Sequence, residues 1–245
     1  GYYHKELSNL VTSQKNVYDL SELANWKESI EIGGTGKVNG IEFMLKKNYG
    51  DWTGSISYHI SKSTRNFENI NEGLDYIYEY NRPNDLTIFV NRKITDKLSF
   101  SLVWNYQTGL PYTPVLGRHI LLDPYTNKYY EAFIYGERNS ATMRDYHRLD
   151  VGVKYETVSK KHKLKTIWTF SIYNIYNRKN PSYYYFNNNS TPEIHHASNG
   201  FVKLDLYQIS LFPIIPSVSY KVYFGKGDET KQKREKSFKN WLRYS

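Results

Sequence analysis

From Trp52 onward, apolar residues fall on every second position. Trp52, Gly54, Ile56, Tyr58 and Ile60 alternate with Thr53, Ser55, Ser57, His59 and Ser61. A strand turns successive side chains to opposite faces, so the pattern predicts a strand with one apolar and one polar face. The same alternation sets Leu98, Phe100, Leu102, Trp104 and Tyr106 against Ser99, Ser101, Asn105 and Gln107. It returns at Leu149, Val151, Val153 and Tyr155, against Asp150, Gly152 and Lys154. Shorter stretches run through Ile41, Phe43 and Leu45, through Leu86, Ile88 and Val90, and through Trp168, Phe170 and Ile172. A final strand is expected at Val218, Tyr220, Val222 and Phe224, and a strand fragment at residues 1–6. Between residues 201 and 212 the apolar phase slips from Leu204 and Leu206 to Ile209 and Leu211, which a β-bulge near Tyr207 would explain. No helix-length window carries a helical period. The fold class expected is all-β.

The connections alternate in length. Short ones are expected near 48–51, 95–97, 157–163 and 213–216, and long ones near 64–82, 108–145 and 178–200. Short turns at one end and long loops at the other are the habit of antiparallel transmembrane β-barrels. Aromatics near strand ends, such as Trp52, Trp104, Tyr106 and Tyr155, fit the aromatic girdles of such barrels. Both chain ends of a barrel lie on the short-turn side. To satisfy this, residues 213–216 (PIIP) are read as a short turn on the loop side, and residues 180–187 (NPSYYYFN) as one more strand. The count is then about nine or ten strands. Residues 52–62 and 98–106 are expected to be neighbours. The competing reading of the alternation is a soluble β-sandwich.

Composition narrows this further. The chain has 245 residues and no Cys, which removes disulfides and thiolate metal sites. No apolar run approaches the roughly 20 residues of a transmembrane helix, and a barrel strand needs only about ten alternating residues. Aromatics make up 17% of the chain, against the aromatic-poor habit of disordered segments. The net charge is +9, but residues 225–245 hold seven Lys/Arg against three Asp/Glu. That concentration in a tail argues against a nucleic-acid-binding face. The organisation expected is a barrel portion over 1–224 and a flexible basic tail over 225–245, with Trp241 and Leu242 as its apolar end. The N-terminus has no charged and apolar leader, so a leader was removed or the chain is part of a longer product.

Several strings resemble the C-terminal barrel half of TonB-dependent outer-membrane receptors of the Bacteroidetes type. They are WKESIEIGGTGKVNGIEFMLKKNYGDWTGSISYHISKSTRNFENINEG, NRPNDLTIFVNRKI, WNYQTGLPYTP, YHRLDVGVKY, WTFSIYNIYNRKNPSYYYF and the closing SLFPIIPSVSYKVYF. Gly33, Gly34, Gly36 and Gly40 are expected to permit a kinked strand start and close backbone approach. The resemblance implies a barrel of about 22 strands, of which this chain supplies a part. It implies active import of a scarce, large solute across the outer membrane. It implies as partners the remaining barrel strands, a plug domain, the TonB energy-coupling system acting through that plug, outer-membrane lipid and a surface-exposed lipoprotein. The chain departs from the pattern in lacking the plug and in continuing past Phe224. The alternative function is a passive porin-like or structural barrel subunit completed by other chains.

No catalytic, cofactor or metal site is expected. His195 and His196 beside Glu193 point apart on an extended chain, and a solvated loop is the preferred reading. No nucleophile elbow occurs. Ligand contacts are expected from Tyr112, Tyr129 and Tyr130 in the 108–145 loop, with Asn105 and Gln107 on the polar face below. The 183–186 run (YYYF) is read first as strand-pairing residues. Arg148 and Asp150, on one face and opposite to Leu149, are expected as a lumenal structural pair. The first and last strands are expected not to pair with each other.

Overall fold

The computed structural model describes residues 1–122, apart from 14–29, then 124, 125, 127, 129–158, 164–187 and 205–224. The basic tail and the pair His195 and His196 lie outside the described residues. The described fold is all-β and antiparallel. Its elements are β1 (Tyr2–Ser13), β2 (Ile30–Lys47), β3 (Trp52–Asn66), β4 (Tyr76–Ile77), β5 (Asn84–Lys93), β6 (Leu98–Gln107), β7 (Pro111–Tyr112) and β8 (Val115–Leu122). They continue with β9 (Tyr129–Tyr135), β10 (Ala141–Thr142), β11 (Tyr146–Val158), β12 (Lys165–Tyr173), β13 (Tyr183–Asn187), β14 (Asp205–Ile209) and β15 (Ile215–Tyr223). The main sheet runs β1-β2-β3-β5-β6-β11-β12-β15, with β4 paired to the end of β3. β7–β10, β8–β9 and β13–β14 form three small two-stranded sheets.

The register stacks the alternating residues into rows, because directly paired residues share a face. Leu45, Ile56, Ile88, Trp104 and Leu149 form one row across β2, β3, β5, β6 and β11. The next row is Gly54, Val90, Leu102, Val151, Ile172 and Pro216. Then come Trp52, Arg92, Phe100, Val153, Phe170 and Val218, followed by Leu98, Tyr155, Trp168 and Tyr220. Toward the other end lie Phe43, Tyr58, Leu86 and Tyr106. Aliphatic residues therefore dominate the middle rows and aromatic residues the outer ones. Trp168 and Tyr220 meet with ring centroids 4.3 Å apart.

No second layer covers this apolar face among the described residues. Phe43 is 57% exposed and Val218 63%. Among the described residues the buried hydrophobic ones are Phe67, Ile70, Tyr76 and Ile167. The first three form a small cluster with Leu10 at one end of the sheet. There β1 bulges at Asn9, whose φ is +55°, and Leu10 comes opposite Gly34. A Cβ on Gly34 would run into the Phe67 ring, and one on Gly40 into the Tyr3 ring. The close approach expected of this glycine-rich stretch is present at both positions.

The short turns at 48–51 and 94–97 lie at one end of the sheet. The connections 67–83, 108–145 and 174–214 leave and re-enter the sheet at the other, here called the loop end. Within the 94–97 turn the Thr95 hydroxyl accepts from Leu98 N at 3.0 Å, and Lys93 pairs with Asp96 at 2.7 Å.

Four expectations are corrected. Residues 52–62 and 98–106 are not neighbours. The connection 67–83 folds back at the loop end, so β5 pairs with both β3 and β6 and separates them. Among the described residues the main sheet holds nine strands, eight of them long and the ninth the two-residue β4, and the segments expected as ladder strands at 180–187 and 201–212 pair with each other outside it. There is no bulge near Tyr207: β14 pairs with β13 in unbroken register, from Tyr183↔Ile209 to Asn187↔Asp205. The phase slip falls within β14, whose Leu206 lies on one face and whose Tyr207 and Ile209 lie together on the opposite one. Finally, 213–216 is no turn between sheet neighbours. It ends the long excursion 174–214 and leads into β15, which pairs directly with β12. The Tyr183–Asn187 strand exists, but in its own hairpin. Phe224 thus reaches the short-turn end with the length alternation unbroken. As expected, β1 and β15 lie at opposite ends of the ladder, and no pairing joins them among the described residues.

Candidate functional site

The polar face carries a lattice of cross-strand links. Thr87 Oγ1 donates to Asn105 Oδ1 at 3.0 Å, and Gln107 Nε2 donates to Asp85 Oδ2 at 2.8 Å. Tyr3 and His59 share a hydrogen bond of 2.7 Å. Such links hold neighbouring strands in register without needing an apolar partner layer.

Near the loop end, Arg148 and Asp150 lie on this face, opposite to Leu149. Arg148 Nε is 3.0 Å from Asp150 Oδ2, yet its N–H is not aimed at an acceptor. The contact is therefore an ion pair and not an aligned hydrogen bond. The guanidinium also lies 4.1 Å from the Tyr173 ring and donates to Tyr146 Oη at 3.0 Å. The other carboxylate oxygen, Asp150 Oδ1, accepts from Asn174 N at 2.8 Å.

Asn174 is the most enclosed residue described, at 0% exposure, and sits at φ +53°. Asn tolerates that left-handed region better than most residues. Its amide donates to Arg178 O at 2.9 Å and Phe212 O at 3.2 Å, and its Oδ1 accepts from Arg178 N at 3.1 Å. Asn177 Oδ1 accepts from Ile214 N at 3.0 Å. These bonds tie both stems of the 174–214 excursion over the ends of β11 and β12. Arg178 donates to Asp145 O at 2.9 Å, and Asn180 brackets the backbone of His147.

Between these stems and the sheet lies a cavity of about 300 Å³, lined by Arg82, Gln107, Tyr146, Tyr173 and Phe212 among others. Arg82 is half-buried. Burial pulls its pKa down, and the Asp85 charge works in the opposite direction.

The expected ligand residues do not form one cluster. Gln107 lines the cavity, with its amide engaged by Asp85. Asn105 lies further down the polar face, engaged by Thr87. Tyr112, on β7, meets Tyr184 of β13 edge-on, with ring centroids 5.3 Å apart and planes at 73°. Burial pushes its phenol pKa up. That contact joins the two long loops. Tyr129 and Tyr130 begin β9, opposite Leu122 and Leu121, and their side chains lie outside what is described. The Tyr183–Asn187 run is a paired strand, in keeping with its strand-pairing reading.

Arg82, Tyr146, Tyr173 and Asn174 are not among the residues expected from the sequence. Two signals point to Asn174 and Arg82. The string NIYNRKNP packs Asn, Arg and Pro at the density of a side-chain-tied turn, and Arg82 directly precedes Pro83.

Comparison with known protein families, curated proteins and solved structures finds no match to this chain.

Proposed function

We propose that this chain forms a section of the wall of an outer-membrane β-barrel. The carrying observation is the uncovered apolar face, aliphatic in its middle rows and aromatic in its outer ones. From the Tyr106 row to the Leu98 row the face extends about 27 Å along the strands. Tilted by about 40°, that is roughly 20 Å of height, close to the apolar band of outer-membrane barrels. A soluble protein would leave far too large an apolar patch in water. The length alternation supports the same reading, with the loop end outside the cell and Phe224 on the periplasmic side. The open ladder then takes further strands at β1 and β15, because unpaired backbone groups in lipid cost several kcal/mol each.

The function proposed is that of an active transporter of the TonB-dependent kind. Its support is the run of receptor-like strings, together with a cavity on the polar face at the loop end. The chain supplies wall and outer loops, and energy arrives through a plug and its coupling system.

Two measurements test this. The protein should sediment with outer membranes and resist alkaline carbonate extraction; release as a soluble species would remove the membrane assignment. Solute uptake by cells carrying the protein should stop when a protonophore collapses the inner-membrane gradient. Uptake that persists would favour the passive porin.

A further inference from the structure

We propose that the cavity at the base of the β13–β14 hairpin is a subsite for an organic anion, one carrying a carboxylate next to an apolar body. This deepens the transporter reading and rests on it for access: the polar face must be a water-filled lumen.

Hydrogen-bond and charge partners single out one residue. The carboxylates around the cavity are already engaged. Asp85 takes the Gln107 amide, Asp150 takes Arg148 and Asn174 N, and Asp145 takes Tyr106 Oη at 2.8 Å and Gly109 N at 3.0 Å. The neighbouring cations are engaged as well: Arg148 with Asp150, and Arg178 with Asp145 O and Asn180 Oδ1. Arg82 is the exception. Among the described residues it forms no ion pair and donates one long hydrogen bond, to Thr108 O at 3.4 Å. A guanidinium carries five N–H donors in a fork that matches a carboxylate. Arg82 is half-buried and lines the cavity, so most of that capacity is open to an occupant.

The rest of the lining sets the occupant's other half. Leu110, Pro181, Leu211 and Phe212 supply an apolar wall, and the phenols of Tyr146 and Tyr173 flank it. Phe212 is held edge-on against Tyr173, with ring centroids 6.4 Å apart. A small, highly hydrated anion would gain nothing from this wall. An anion attached to a ring or a branched aliphatic group would bury that group while its carboxylate meets Arg82.

The test is calorimetric titration of the purified protein in detergent with two probes, N-acetylphenylalanine and its neutral amide. The acid should bind about tenfold or more tightly than the amide, as a charge-assisted pair predicts. Arg82→Gln should erase that preference and leave the amide unchanged, whereas Arg82→Lys should retain part of it. Phe212→Ala should weaken both probes and keep their ratio. Equal affinity for acid and amide, or no heat from either at millimolar concentration, overturns the subsite. The acid-to-amide ratio of the unaltered protein decides the matter even where a variant misfolds. Membrane fractionation decides the barrel reading by itself, so failure of one is distinct from failure of the other.

Discussion

Leu102 and Ser101 are adjacent on β6, yet they belong to faces built on opposite rules. Around Leu102 the row neighbours are Val90, Val151 and Ile172, and they offer one another only carbon. Around Ser101 they are Asn91 and Gly152, and the links are hydrogen bonds, as from Asn91 Nδ2 to Thr53 Oγ1 at 3.4 Å. The apolar face packs along its rows, and between them where Trp104 stacks on Tyr106 and Trp168 on Phe170, but no layer covers it among the described residues, so its stability depends on what surrounds it. The polar face is tied internally, from the cross-strand links up to the clamp at Asn174. A sheet of this kind is completed from outside on one face and self-sufficient on the other.

The sharpest way to break that comparison is a charge on each face. Leu102→Arg should cost about 2–4 kcal/mol near a bilayer midplane, and Ile56→Arg about the same. Ser101→Arg and Ser57→Arg should cost far less. Urea unfolding of protein folded into lipid vesicles reads the difference. Equal losses on the two faces would end the membrane assignment.

Next in size is the clamp. Asn174→Ala strips three hydrogen bonds from a fully buried site, and groups left unpaired there cost about 1–3 kcal/mol. Limited proteolysis should then cut within 174–187 well before β11 or β12 loses its protection. Cleavage that begins in β11 would mean the clamp supports the sheet rather than the excursion.

Thr87→Val removes one of the cross-strand links and should lower stability by about 1 kcal/mol, without affecting membrane association. A loss of association would show that the polar face also takes part in insertion.

The smallest effect is expected at the 94–97 turn. The hydrogen bond and charge of Lys93 hold the Asp96 carboxyl below its ordinary pKa. A depressed carboxyl stabilises the fold above its unfolded pKa and loses that contribution as pH falls through the folded value. Asp96 is exposed and Lys93 half-exposed, so solvent screens the pair. Asp96→Asn should leave the thermal midpoint unchanged at neutral pH and in acid. A measurable drop would mean the turn shapes the sheet edge more than its exposure implies.

The faces can be read from the chain because alternation has a period of two and tolerates no slip. Once Ile56 and Ser57 point apart, every row follows. Strand neighbours are less legible. Nothing in residues 52–62 or 98–106 says whether β5 inserts between them, since any of these strands can present the same alternating edge. The 174–214 excursion is hard to read for a related reason. The 183–186 run has the composition of a barrel strand, and only its pairing with Tyr207 and its neighbours removes it from the main ladder. The site is least legible. Its geometry depends on Asn174 at positive φ and on Arg82 lacking an ionic partner among the described residues, and neither property belongs to a residue type.

The alternation of short and long connections also sets an order of assembly. Each strand of the main ladder pairs only with the ones before and after it along the path, so the sheet can form as a series of local closures. Loop-closure entropy grows with the logarithm of loop length. Closing the 108–145 connection therefore costs about 2 kcal/mol more than closing the 94–97 turn. The β2–β3 and β5–β6 hairpins should appear first, as preformed staves. Joining one stave to the next must wait until a long excursion has been gathered at a single end, which makes the loop end the last part of the molecule to take shape.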